Sequence, residues 1–216
     1  MYAAPMTSFS DFKAAISEWE NRADWSDVLV TSFVRMAEAK FNAELRIDRM
    51  LSANDALIAS RCAPLPDDWL ELDMVRIATA PSAYYPSGFA PIVYKPRAEF
   101  FATQDEKAVG LYTIEGRQIF VGGLPNTTDG QTLRIDYYAE VPVFSDTQDS
   151  WVNDKYPAMY LSAARMHAKL HAVGEEEAAA GMKQLTEDAI QKLNAAHRYS
   201  RASGSRLSRT RTRSFG

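Results

Sequence analysis

The sequence predicts an α+β fold. Its parts are a four-helix bundle formed by N- and C-terminal helical hairpins, an inserted antiparallel β domain, and an extended C-terminal tail. Three observations carry this. Apolar residues recur at steps of three and four at both ends of the chain. Between them the texture changes to short alternating runs broken by Pro, Gly, Asn and Asp. The last stretch is rich in Ser and Arg and poor in apolar side chains. The boundaries follow: a discontinuous helical domain over 1–46 and 150–200, a β-rich domain over 47–149, and a flexible Arg-rich tail over 201–216.

Ser8 with Asp11 three residues on is a capping signal. Phe9, Phe12, Ile16 and Trp19 follow at helical spacing, which predicts a helix from Ser8 to Asn21. Asn21 to Trp25 breaks it. Ser26 or Asp27 caps a second helix with Phe33, Met36, Ala37, Phe41 and Leu45 as its buried stripe.

In the middle, Pro64 and Pro66 bracket the approach to a strand over Leu70–Ile77. Ile92–Tyr94, Gly110–Thr113 and Gln118–Val121 read as further short strands, with Glu115-Gly116 turning the chain between the last two. Leu133–Val141 is the strongest strand signal. Leu133, Ile135 and Tyr137 face one way, Arg134, Asp136 and Tyr138 the other, and Pro142 ends it.

The second hairpin covers Ser150–Ser200. Pro157 suits a first helical turn, where its missing N–H costs nothing, and Asp154 ahead of it can accept from free N–H groups. Tyr160, Ala163, Ala164, His167 and Leu170 share one face. Gly174 suits a helix end. Glu175, Glu176 and Glu177 place negative charge at the next helix's positive end. Met182, Leu185, Ala189, Leu193 and Ala196 form the next apolar stripe, and His197 and Arg198 close the helix. Each hairpin is too thin to stand alone, so the two are expected to pack together.

The chain has 216 residues, 46% apolar and 24% charged, an ordinary globular balance with enough length for a sizeable core. One cysteine, Cys62, excludes an internal disulfide framework and a cysteine zinc cage. No apolar run approaches the ~18 residues of a membrane span. The N-terminus does not read as a secretory signal. Net charge is −4, unevenly spread. From Arg198 onward there are six arginines and no acid; taking those six from the 24 basic residues leaves 18 against 28 acids, a body of −10.

Candidate chemistry is sparse. His167, His171 and Glu175 stand at i, i+4 and i+8, but Gly174 interrupts the helix before the third, so no metal site is expected. Cys62 lacks a neighbouring base and reads as a small apolar side chain. Asp67-Asp68 and Asp146 with Asp149 fit turns better than acid–base pairs. Gly122-Gly123 has neither the lysine nor the setting of a phosphate loop. Tyr84, Tyr85, Phe89, Tyr94, Phe100 and Phe101 have only Lys95 and Arg97 among them, which suits a β core or a subunit contact better than base stacking. The expectation is no enzyme, no cofactor and no metal. The tail arginines Arg198, Arg201, Arg206, Arg209, Arg211 and Arg213 have three readings: DNA phosphates, carboxylates of a protein partner, or solvent. The acidic body favours the protein partner.

Six stretches in order carry a resemblance. They are Phe12–Asp24, Phe33–Arg46, Leu65–Leu72, the Tyr137-Tyr138-Ala139 strand before Pro142, the Trp151–Leu161 run, and the basic Ser-rich end. Together they resemble the head–tail adaptor proteins of short-tailed phages, the tail tubular protein A group. Two departures are Val152-Asn153-Asp154, where the group often has apolar residues, and the Pro- and Tyr-rich segment 81–103. The resemblance implies a virion structural protein of the neck or tail, assembled in the host cytoplasm. It implies a homo-oligomeric ring, commonly a dodecamer, between a portal protein and a tail tube or nozzle protein. DNA passes through the lumen without sequence-specific binding, and the C-terminal tail reaches the portal. The alternative is a DNA-binding accessory protein using the basic tail.

Overall fold

A computed structural model describes residues 8–103, 109–122, 130–172 and 175–211. The protein is mixed α+β with six helices and two four-stranded sheets among the described residues. It divides into two compact units, residues 1–48 with 141–216 and residues 49–140.

The first unit is helical. Helix α1 (Phe9–Trp19) starts at Ser8, whose hydroxyl accepts from Asp11 N at 3.1 Å while Asp11 accepts from Ser8 N, a complete capping box. Helix α2 (Asp27–Glu44) is capped by Ser26. Phe33, Ala37, Phe41 and Leu45 are buried as the spacing predicts, but Met36 is 50% exposed. Glu38 takes the buried place instead, because it has polar partners waiting inside. In the second half, α4 (Trp151–Lys155) is a separate short helix and α5 (Pro157–His171) begins afresh at Pro157. Asp154 therefore lies inside α4, and no side chain caps α5. Helix α5 packs against α1, α2, α4 and the last helix, α6 (Glu176–Arg211). Phe9, Phe12, Phe41, Phe144 and Tyr160 form the aromatic centre of this core, with ring centroids 4.8–5.7 Å apart in the closest pairs. Gly174 lies outside the described residues.

Two expectations for α6 change. Its buried face is Ala179, Thr186, Ile190 and His197, while Leu185 is 60% exposed and Ala196 is exposed. The reason is a polar one: Thr186 and His197 have partners inside the unit, so the helix turns that side inward. The helix also runs on to Arg211, past the Ser200 end that composition suggests. Arginine and alanine are good helix formers, and a lone glycine costs only ~1 kcal/mol.

The second unit is the β-rich insertion. One sheet has the order β1 (Leu51–Leu57), β8 (Thr132–Ala139), β3 (Trp69–Ala78), β4 (Phe89–Pro91); the other has β2 (Cys62–Pro64), β7 (Gln118–Val121), β6 (Leu111–Glu115), β5 (Val93–Tyr94). Central β8 pairs antiparallel with both β1 and β3, and its first register pair sets Leu51 beside Tyr138. Leu133, Ile135 and Tyr137 are buried as predicted, but so is Tyr138. Register shifts at Trp69/Glu71 and Leu72/Met74 in β3 break the simple alternation. Glu115 and Gln118 close the β6–β7 hairpin with Gly116 at φ +60°. The sheet is not wholly antiparallel: β5 and β6 run parallel. Parallel neighbours need a crossover, and α3 (Arg97–Ala102) lies in the connection between them. The β1–β2 turn is unusual. Ser60 and Arg61 both take positive φ, 51° and 65°, between Ala59 and Cys62, which exchange backbone bonds.

Candidate partner-binding site

Helix α6 carries every one of the six candidate arginines except Arg213, which lies outside the described residues. With 36 residues it is ~54 Å long at 1.5 Å per residue. Helix α5 has 15 residues, so it can accompany less than half of α6.

The first part of α6 is fixed by polar contacts spaced along it. Near its start, Lys169 bridges Glu20, at 2.6 Å, and Glu175. Arg165 joins Glu20 at 2.5 Å and lies over the Trp19 ring. The hydrogen bond from Lys169, then its charge, holds the Glu175 carboxyl below its usual range, and Glu175 and Glu20 in turn raise Lys169. About two turns beyond buried Ala179, the Ser162 and Thr186 hydroxyls lie 2.9 Å apart. Lys40 of α2 approaches Glu187 at 3.5 Å. Asn194 then accepts from Arg46 N and donates to Glu44 O, both at 2.8 Å, so it serves the C-terminal end of α2. Last, buried His197 places Nδ1 2.8 Å from the Asp48 carboxylate.

Beyond His197 the helix is basic. Asp188 is the last acid in the chain, and only cations follow it. Arg198 and Arg201 are exposed. Arg206, Arg209 and Arg211 continue on the same helix. The candidate site is therefore a basic helical arm whose root is bolted to the helical unit by Asn194 and His197. Neither anchor was evident from periodicity, because each is a polar residue serving a neighbour distant in sequence.

The other candidates fall into structural places. His171 packs its ring against Trp25 and Phe33. His167 is held below its ordinary value by burial and then by the Lys40 charge, and Glu175 is engaged with Lys169. The three residues thus have separate surroundings. Cys62 sits in β2 with its thiol 3.4 Å from Ser60 O. Asp67 pairs with Arg117, and Asp68 accepts from Tyr137 OH at 2.9 Å. Asp146 and Asp149 are exposed around the Ser145–Gln148 bridge. Gly123 lies outside the described residues. Among the aromatics, Phe100 is buried, while Tyr84, Tyr94 and Phe101 stand exposed. Phe101 packs on Phe100 and Phe120, with Arg97 over its ring.

No described helix is long and apolar enough to cross a membrane. A family model described as SU10 adaptor protein matches residues 7–212. No curated protein matches the chain.

Proposed function

Because the chain belongs to the SU10 adaptor protein family, a phage adaptor family, we propose that it is a head-to-tail adaptor of the short-tailed-phage, tail tubular protein A type. In this reading copies of the chain form a ring, commonly a dodecamer, in the virion neck after assembly in the host cytoplasm. The helical unit, acting as a four-helix bundle, faces the portal; the β-rich unit faces the tail tube or nozzle; DNA passes through the lumen. The work is assembly, not catalysis.

The observation that supports this best is the charge segregation along α6. A basic arm, helical to Arg211, projects from a chain that is otherwise acidic. Guanidinium groups form bidentate pairs with carboxylates on a protein partner. A backbone already helical loses less entropy on docking than an unstructured segment would. The acidic remainder repels phosphates, which suits a conduit that must not grip its cargo.

The test is negative-stain imaging of the chain mixed with its cognate portal, with and without residues 203–216. A second ring stacked on the portal, lost on truncation, is expected. A ring that persists after truncation removes the arm from the docking role. No ring in either case, with salt-dependent retardation of DNA, would make the DNA-binding accessory role the better reading.

A further inference from the structure

The turn between β1 and β2 takes an uncommon form. Ser60 and Arg61 hold φ values of 51° and 65°, a region that non-glycine side chains rarely adopt. Ala59 and Cys62 exchange both backbone bonds around them, at 2.8 and 2.9 Å, so the turn is fully formed. Glycine or asparagine fits such a turn with less strain. An arginine at this position points to a second reason for its presence, because strain persists where the side chain has other work.

That reason lies beside the turn. Arg61 is fixed twice to Val121: its C=O accepts from Val121 N at 2.9 Å, and its Nε donates to Val121 O at 3.4 Å. The guanidinium is thereby laid against the end of β7. There a cavity of about 250 Å³ opens between the turn, β7 and α3. Phe100 and Val121 are its buried members. Phe101 and Phe120 also line it, with ring centroids 5.9 Å apart and planes at 69°. Thr103 bounds the α3 side, and its hydroxyl donates to Glu99 O at 2.7 Å. Among the described residues that line the cavity, Arg61 is the only charged one. Nearby Arg97 is matched by Glu115 at 2.7 Å.

These features define what the cavity accepts. Aromatic walls take another ring edge to face. A guanidinium takes a carboxylate through two parallel N–H groups. The volume lies below the ~300–1,000 Å³ of sites that enclose a whole cofactor or comparable small molecule. It suits a single side chain, and an aromatic anchor seated in a pocket is a common way to hold a protein partner. A stacked base fits poorly, because Phe100 is buried and Arg97 already lies over the Phe101 ring. We propose that this cavity is a docking pocket for a protein segment that inserts one aromatic side chain and sets the carboxylate of an adjacent Asp or Glu on Arg61. The strained turn aims the guanidinium at the cavity. The pocket is built wholly within the β-rich unit, so it does not depend on the α6 arm or on the adaptor reading.

The test is a titration of the full, isotope-labelled chain with the peptide acetyl-Gly-Asp-Phe-Gly-amide, followed by amide chemical shifts. Shifts are expected at Arg61, Thr103 and Val121. Replacing the peptide's Asp by Asn is expected to weaken binding about tenfold, and replacing its Phe by Ala to abolish it. Arg61→Gly suits the turn, so the variant keeps its fold, and it should bind the Asp and Asn peptides equally. Arg61→Glu should instead prefer a peptide with Lys in place of Asp. Three results overturn the proposal. The first is no shift at these amides with any peptide. The second is a preference for Asp over Asn that survives R61G. The third is binding of phenylacetate with none of the peptide, which gives the cavity to a free small molecule.

Discussion

Tyr160 of α5 donates its phenolic hydrogen to Glu38 of α2 at 2.7 Å, deep in the helical unit. Glu38 also accepts from Phe144 N at 2.7 Å and from Arg35 at 2.7 Å. One buried carboxylate thus ties together two helices and the segment that leads from β8 back to them. Burial, then the Glu38 charge, raises Tyr160 so far that it stays protonated and remains a donor. Tyr160→Phe removes one of several partners and is expected to cost about 1–2 kcal/mol; Glu38→Ala leaves several donors unpaired and is expected to cost about 3 kcal/mol or more. Chemical denaturation followed by helical circular dichroism measures both. Equal losses would contradict the central place of Glu38.

Asn194 closes the end of α2 with two bonds. Asn194→Ala is expected to cost about 1–2 kcal/mol. It should also speed amide exchange at Arg46, whose N–H loses its acceptor, more than at Phe33 in mid-helix. Uniform acceleration along α2 would show a global loss of stability and no local cap.

His167 is held low by burial and by Lys40. Above its ordinary value the folded and unfolded chains are both neutral there. As pH falls below about 6.5, the unfolded chain takes up a proton that the folded one resists, so stability declines. Glu175 adds to the same trend at lower pH: its folded value is depressed, so its stabilisation is present above the ordinary carboxylate range and fades as pH falls through the folded value. A pH series of thermal midpoints should slope downward below 6.5, and His167→Gln should flatten the upper part of that slope. An unchanged slope in the variant would assign the effect elsewhere.

Ser60 and Arg61 hold left-handed conformations that asparagine and glycine adopt at less cost. Ser60→Asn with Arg61→Gly is expected to stabilise the β-rich unit by about 1 kcal/mol. Thermal unfolding read by near-ultraviolet circular dichroism checks this. A loss would mean that the Arg61 side chain, which reaches Val121 O at 3.4 Å, matters more than the turn.

Features carried by local chemistry were legible before the fold was seen. Ser8, Ser26 and Pro157 begin helices because their effects act within one turn, and Gly116 turns a hairpin because its backbone freedom is its own. The inward face of α6 was not legible. Apolar count favours the side with Leu185 and Ala196, but Thr186 and His197 are drawn inward by Ser162 and Asp48, partners far away in sequence. Glu38 displaced Met36 from the α2 stripe for the same reason. Both strands of the β5–β6 pair were legible, but their parallel sense was not, because periodicity along a strand carries no sign of the direction of its neighbour. For the candidate site, the arginines and their charge were plain in the sequence, while the anchors that root the arm were not.

The Leu51–Tyr138 pairing places the first and last strands of the insertion side by side. A segment whose two ends lie a strand's width apart, ~5 Å, asks almost nothing of the chain that interrupts itself to hold it. The helical unit need only keep two neighbouring exits. Loops between β4 and β7 can therefore grow, shrink or be replaced without stretching either exit.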